Sequence, residues 1–529
     1  MNKSVSVWGT EITVKQAQGV SYKMYAQRPH SIREILAFAG RWGARPHIVQ
    51  GERIIGFDAL TKAVISKAKQ LGALGVSRGD RVFILGWNSP EWIANFWACV
   101  QVGAVPVLAN GWWSAGELSD SLNELRPFIT LADAHGAEKM PAGCLRGAWE
   151  CDFQSDVVDD GVEEPDEEEA PAAIIFTSGT SGRPKAVVLS HRALLAGLHM
   201  LLHVTRRLPH QLDEAAIDVG LHTGPLFHVG GVQTLLRAVT VGSTLVMPGS
   251  KFDPGEALEL IERYRIGRWA AVPTMVSRLL EHSDLKRRDL SSLRSVTVGG
   301  APVHAELMRR IGEALPSVAA RIPTGYGLTE NGGQATAASG ADTAARPGSS
   351  GKPLPCVELV FRRLPGLPDG EILLRSPTQM SCYFGVAESP IDEDGWLQTG
   401  DLGHLDDKGN LWITGRSKDM IIRGGENIAP VAVERALAAI PGVSEAVVFG
   451  VPHPDLGEEV MAIVVVESDL KVDDLRDGLR STLASYAVPT RWRVQKEPLA
   501  TNHSGKIDKP VLAAQARAEL AEERAKASA

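Results

Sequence analysis

The chain has 529 residues, 44% of them hydrophobic and 22% charged, with a formal net charge of −8. That is enough apolar material for a large core and more than one domain, and it excludes an intrinsically disordered chain. The acidic balance, with no concentrated basic cluster, excludes the usual footprint of a duplex-binding protein.

Five cysteines stand at positions 99, 144, 151, 356 and 382. An odd number without paired spacing points to a reducing compartment and a cytoplasmic protein, and no zinc-ligand spacing occurs. The opening MNKSVSVWGTEITV has no apolar core of signal-peptide length. The most apolar stretch, Trp92–Trp113, is interrupted by Asn95, Gln101, two glycines and a proline. It reads as a buried helix followed by a buried strand, with no membrane span.

Taken in chain order, residues 31–150 alternate helical and β patterns. SIREILAFAGRWG is read as a helix and RVFILGW as a buried strand; PEWIANFWACVQVG is a helix and VPVLA a strand. The acidic run Asp156–Ala170 reads as a solvated linker. From Gly255 the alternation resumes: GEALELIERYRI, TMVSRLLEH and HAELMRRIGEAL are helical, RWAAVP and SVTVGG are strands, and ARIPTGYGLTE starts as a strand. Strands alternating with helices predict a parallel, doubly wound sheet, with ligands beyond the carboxyl ends of the strands. Those ends carry Pro273-Thr274, Gly299-Gly300-Ala301 and Gly325-Tyr326-Gly327. Residues 350–415 are rich in short strands separated by Gly and Asp turns, as in a small β-barrel. After Gly415–Asp419 a helix, two strands and a helix form an α+β unit of about 110 residues. No repeat of 20–50 residues is present.

FTSGTSGRPK, Phe176–Lys185, lies between two apolar runs, AAIIF and AVVL. It lacks the Walker A pattern and leads from strand to strand. Its glycines permit turns that aim N–H groups inward, its hydroxyls add donors and Lys185 adds positive charge, all of which suits phosphate. An ordinary Gly/Ser hairpin is the other reading of the loop taken alone. Four later segments follow in order: GYGLTE (Gly325–Glu330), TGD (Thr399–Asp401), GRSKDMIIRGGENI (Gly415–Ile428) and NHSGKIDK (Asn502–Lys509). With the opening loop they resemble the motif series of the adenylate-forming superfamily of acyl-CoA synthetases, peptide-synthetase adenylation domains and firefly luciferase. The resemblance covers essentially the whole chain.

It implies an α/β chain. Residues 1–417 would form a large N-terminal adenylation domain of doubly wound sheets plus a small β-barrel, and residues 418–529 a small mobile α+β domain. It also implies a two-step reaction. A carboxylate attacks the α-phosphate of ATP to give an acyl-adenylate and pyrophosphate, and a nucleophile, commonly coenzyme A, then displaces AMP. Two anions meet in the first step, so cationic groups and Mg²⁺ must offset the charge.

Carried onto the matching positions, Thr177, Ser178, Gly179, Thr180, Ser181, Gly182 and Lys185 would cradle the β and γ phosphates. Thr329 would contact the α-phosphate and Glu330 would hold Mg²⁺. Gly300, Ala301 and Tyr326, with the adjoining Gly327, would enclose the adenine. Asp401 would accept from the ribose hydroxyls, assisted by Arg416. Lys506 would bridge carboxylate and α-phosphate as a compact point charge. Lys418 stands at the hinge about which the small domain rotates after adenylation, and Gly424 and Gly425 would leave room for the pantetheine arm of coenzyme A.

PLFHVGG, Pro225–Gly231, matches the segment lining the acyl pocket, with His228 at its gate. Gly230, Gly231, Gly332 and Gly333 would add volume, Thr234 would line the pocket, and Asn331 and Gln334 could hydrogen-bond a polar substituent. The expected substrate is a non-amino acid that is medium-chain, alicyclic or otherwise bulky. An amide-forming ligase of the same fold, passing the acyl group to an amine, stays open as the alternative. The family gives weak support for a homodimer.

Overall fold

The computed structural model describes residues 8–157, 167–177, 184–301, 303, 305–318, 321–367, 369–467, 469–502 and 504–528. Most of the expected acidic linker, and Ser178, Gly179, Thr180, Ser181 and Gly182 of the phosphate loop, lie outside them.

Two sheets build the large domain. In the first, Arg81–Leu85 pairs in parallel with Val105–Ala109 and Ile129–Ala132, and Pro171–Thr177 joins beyond Val105–Ala109. Lys185–Ser190 and Cys382–Tyr383 close that edge antiparallel. In the second, Ser295–Val298, Arg268–Ala271, Asp218–His222, Ser243–Met247 and Pro46–Gln50 run in parallel, with Arg53–Gly56 antiparallel at the edge.

The strand RVFIL shows why so apolar a run is needed. Val82 and Ile84 enter the core shared by both sheets, while Phe83 and Leu85 enter a separate core on the opposite face. A strand covered on both faces has no side left for polar residues. The shared core is filled by helices Pro90–Val102, His191–Val204 and Val229–Val241. The first follows from its sequence: Ser89 accepts from Trp92 N, Pro90 opens the helix, and Gly103 ends it at φ 76°.

The alternation breaks at Thr324–Leu328. This strand does not extend the parallel sheet, and it starts later than ARIPTGYGLTE suggests. It forms an antiparallel hairpin with Gly333–Ala338, which Lys352–Pro353 joins. Gly325-Tyr326-Gly327 therefore lies within a hairpin strand, not at a parallel strand's end. Close packing explains the glycines: a Cβ at Gly327 would lie 2.2 Å from the Gly333 carbonyl oxygen. A four-stranded antiparallel sheet, 358–416, shares one core with this hairpin. Leu411 exchanges backbone hydrogen bonds with Ser350 and Gly351, which completes a barrel-like unit.

The C-terminal unit has its own cores, drawn only from residues beyond 420. Strand Val443–His453 alternates Val448 into one and Val447, Phe449 and Val451 into the other. The GGENI segment is a hairpin, Ile421–Arg423 with Glu426–Ile428, turning through Gly424 and Gly425 at φ 59° and 91°. Both turn residues need positive φ, which glycine supplies without strain. Helix Ile32–Ala37 is shorter than its pattern, because Phe38–Arg41 tightens into a 3₁₀ turn. No described helix is long and apolar enough to cross a membrane.

Candidate active site

Thr177 and Lys185 face each other across the antiparallel strands flanking the phosphate loop. The Lys185 ammonium lies 4.6 Å from the centroid of the Tyr383 ring. Tyr383 Oη in turn donates to Glu330 Oε1 at 2.9 Å. Burial, then the Glu330 carboxylate, raises the Tyr383 phenol well above its ordinary value, so it stays a donor. Thr329–Asn331 is a single 3₁₀ turn, and Met380 N holds the Glu330 carbonyl at 2.9 Å. One half-exposed carboxylate, oriented by a tyrosine, suits Mg²⁺, which keeps waters and binds through one or two carboxylates plus phosphate.

Asp401 is 4% exposed. Its Oδ2 accepts from Tyr326 Oη at 2.7 Å and its Oδ1 from Arg416 Nε at 2.7 Å. Asp401 and Arg416 are cross-strand partners, so the pair is set by register. Burial and the neighbouring carboxylate keep the Tyr326 phenol protonated. Arg416 is held above its ordinary value, first by the Asp401 charge.

Lys506 arrives from the C-terminal unit. A Cβ built at Gly300 would stand 3.1 Å from Lys506 Cε and 3.5 Å from its Nζ, and Gly300 takes φ 79°. The lysine loop is seated on the large domain: Thr274 Oγ1 donates to the Gly505 carbonyl, and a Cβ at Gly505 would lie 2.8 Å from Met275 Cε. Asn502 Oδ1 accepts from Ser504 N, Ser504 Oγ and Lys506 N at 2.8–3.1 Å. Burial, then the Arg416 charge, lowers the Lys506 pKa. Ala301 follows Gly300 in the same turn, and Lys418 lies in the 3₁₀ turn Ser417–Asp419, two residues after Arg416.

His228 stands at the N-cap position of helix Val229–Val241 without a side-chain capping bond, its ring 4.8 Å from that of Phe227. The expected pocket glycines divide. Nothing lies within 4 Å of a Cβ built at Gly230, and the nearest atom to one at Gly333 is Gln233 Cγ at 3.6 Å. At Gly231 a Cβ would meet the Leu226 Cα and the Pro225 carbonyl oxygen at 2.6 Å; at Gly332 it would meet the Thr378 carbonyl oxygen at 2.5 Å. Protein backbone fills those two spaces, so neither glycine adds pocket volume. Asn331 is fully buried and accepts from Thr378 Oγ1 at 2.9 Å, while its buried Nδ2 has no protein partner. Gln334 packs over Gly325, and Thr234 Oγ1 donates to the Gly230 carbonyl within the helix at 2.8 Å.

A cleft of roughly 290 Å³ opens beside this gate, between Trp87, Trp112 and Phe227 on one side and Thr274, Met275 and Arg278 on the other. Lys251 lines it as well, and Thr501, Asn502 and Gly505 of the lysine loop also line it. Tyr383, Trp87 and Trp112 belong to none of the motifs legible in the sequence. His222, at the carboxyl end of its strand, is buried, and burial drops its pKa to about 4.

The large domain matches the AMP-binding enzyme family over residues 36–384, and the small unit matches the AMP-binding enzyme C-terminal domain over residues 432–506. The chain is 33% identical over 498 residues to a feruloyl-CoA synthase from an Amycolatopsis species, covering 88% of this chain and 97% of that protein. It is 34% identical over 495 residues to a Mycobacterium tuberculosis CoA ligase for a methyl-dioxo-octahydroindenyl propanoate, covering 88% and 94%. Among solved structures it resembles the o-succinylbenzoate coenzyme A synthetase of Bacillus subtilis in complex with ATP and magnesium. The TM-score is 0.76 and the identity 28%, over 90% of this chain and 98% of that one. The seated lysine, the Asp401–Arg416 pair and the Glu330 turn are thus found in a chain that belongs to the AMP-binding enzyme family of adenylate-forming ligases and is an AMP-forming acyl-CoA synthetase.

Proposed function

We propose that the acid activated is a bulky, ring-bearing, non-amino carboxylic acid, admitted past His228 into the space left open at Gly230. The open side of Gly230, at the first turn of helix Val229–Val241, carries this reading. The feruloyl and indenyl-propanoyl relatives, both acting on ring-bearing acids, support it.

In the first step Lys506 holds the carboxylate and the α-phosphate together, Thr329 adds a hydroxyl donor there, and Arg416 assists Asp401 at the ribose. Lys185 and Thr177 receive the departing pyrophosphate. Magnesium held by Glu330 would neutralise part of the phosphate charge. Asp401 fixes the ribose, and the Gly300-Ala301 turn and Tyr326 enclose the adenine. For the second step, the cleft lined by Trp87, Trp112 and Phe227 is the route for the pantetheine thiol. Thr501, Asn502 and Gly505 cover that route while Lys506 is seated, so the C-terminal unit, from about residue 418, must turn away and bring Gly424-Gly425 in.

All five cysteines are free thiols, which supports a cytoplasmic site of action, and the oligomer of this reading is a homodimer, checked by light scattering. The substrate test is a panel of acids graded from acetate to bicyclic propanoates, each with ATP and coenzyme A or with amines, and products weighed by mass spectrometry. Thioesters of ring-bearing acids are expected. Preference for short linear acids, or acyl transfer to amines alone, overturns the reading.

A further inference from the structure

The second sheet has two ends. Its carboxyl end faces the catalytic cleft, through His222 and the segment that runs to His228. At its amino end Asp218 pairs with Ser243, and Arg268, the first residue of the next strand, pairs with Gly220 two residues along. There three arginines converge on one carboxylate. Arg268 Nε lies 2.7 Å from Asp218 Oδ1, and Arg207 and Arg237 lie 2.9 and 3.4 Å from Asp218 Oδ2. Ser243 Oγ donates to the same Oδ2 at 2.8 Å, and Arg268 Nη2 lies 3.4 Å from Ser243 Oγ.

The charges do not balance: three guanidiniums face one carboxylate. The next groups along this edge do not correct it. Arg41 pairs with Glu214, and Arg45 donates to the Glu214 and Gly242 carbonyls. Burial first, then the Arg268 and Arg207 charges, lower the Arg237 pKa, and Asp218 works against them. For Asp218, burial pushes the carboxyl up, but the three arginines together more than reverse this. Asp218 Oδ2 already accepts from Arg237 Nη2 and Ser243 Oγ, with Arg207 Nη2 at 2.9 Å beside them. Arg207 Nε is out of solvent contact and has no partner. The three arginine side chains are still 22–33% exposed, so a small ligand can reach them. Planar guanidinium forks suit the tetrahedral oxygens of phosphate.

We propose that this edge is a second anion site, remote from the catalytic cleft, which takes a phosphate group bearing two negative charges between Arg207, Arg237 and Arg268. The group can belong to a soluble metabolite or to a phospholipid head.

The probe is inorganic pyrophosphate, titrated by calorimetry onto the full chain. Because pyrophosphate is also a product of the catalytic site, the titration is repeated in Lys185→Ala, where one binding event should persist. In Lys185→Ala/Arg207→Gln and Lys185→Ala/Arg268→Gln that event should weaken about tenfold or more. Arg207→Lys, which keeps the charge and the fold but loses the fork, should weaken it less. Thermal melts of each variant confirm folding. Vesicles of phosphatidylcholine with and without phosphatidic acid separate the sources. Arg207-dependent sedimentation with phosphatidic acid, in place of pyrophosphate binding, assigns the phosphate to a lipid head. A residual event indifferent to Arg207 and Arg268, or no binding in either arm once Lys185 is removed, overturns the proposal.

Discussion

Tyr383 Oη donates to Glu330 Oε1 at 2.9 Å while the ring of the same tyrosine lies under the Lys185 ammonium. One side chain thus positions the carboxylate expected to hold the metal and the cation expected to meet the terminal phosphates. Tyr383→Phe keeps the ring and deletes the hydroxyl. A hydrogen bond to a charged group is worth about 1.5–3 kcal/mol, so adenylation should fall about tenfold or more, with a higher magnesium requirement in acid-dependent pyrophosphate exchange. Tyr383→Leu should also raise the KM for ATP, since an exposed cation–π contact contributes about 0.5–1 kcal/mol. An unchanged magnesium dependence in Tyr383→Phe would count against a role in orienting Glu330.

Lys506→Ala should separate the two half-reactions. Losing one preorganised electrostatic contact costs about 10²–10³-fold in rate, so acid plus ATP should fail. A synthetic acyl-adenylate with coenzyme A should still give thioester at near-normal rate, because in the proposed rotation the lysine loop is withdrawn for that step. Equal loss in both assays would make Lys506 a purely structural residue.

The pH profile of adenylation should carry the mark of the same lysine. Burial and Arg416 lower its pKa in the free enzyme, and the reaction needs the ammonium. Activity should therefore fall as pH rises through that lowered value. Bound phosphates favour the charged form. The alkaline limb of kcat, which reports the bound state, should lie at higher pH than that of kcat/KM, which reports the free enzyme. Coincident limbs would sink the assignment.

Gly230→Trp and Gly231→Ala should fail differently. The first places bulk in open space, so rates with large acids should drop while small acids are spared. The second forces a Cβ to within 2.6 Å of the Pro225 carbonyl oxygen, so it should lower the melting temperature and impair acids of every size. If Gly230→Trp slows all acids alike, residue 230 does not line the acyl pocket.

Much of this was legible along the chain where a local signal and the fold agree. Ser89-Pro90 and Gly103 bracket the helix they cap, and RVFIL is apolar because both its faces are covered. Legibility ends where partners come from distant sequence. GYGLTE reads as one more parallel strand, but in the hairpin Gly327 admits the Gly333–Gln334 backbone and Gly325 admits the Gln334 side chain and the Thr336 carbonyl. A glycine in such a motif does not say whether its missing side chain leaves open space, as at Gly230, or makes way for the chain itself, as at Gly231 and Gly332. Tyr383 meets Glu330 across 53 residues, a pairing that no spacing rule contains.

The bracing of the lysine loop by Asn502 has a thermodynamic consequence for turnover. With three donors gathered on one amide oxygen, and Thr501 bridged to Ile507 beyond it, the backbone around Lys506 is ordered within its own domain. Fixing a residue's backbone costs about 1–2 kcal/mol. For this segment that cost falls once, when the small domain folds, and does not recur in each catalytic cycle. In the proposed rotation each swing would carry the groups held by Asn502 together, and reseating Lys506 would reflect docking at Thr274 and Met275.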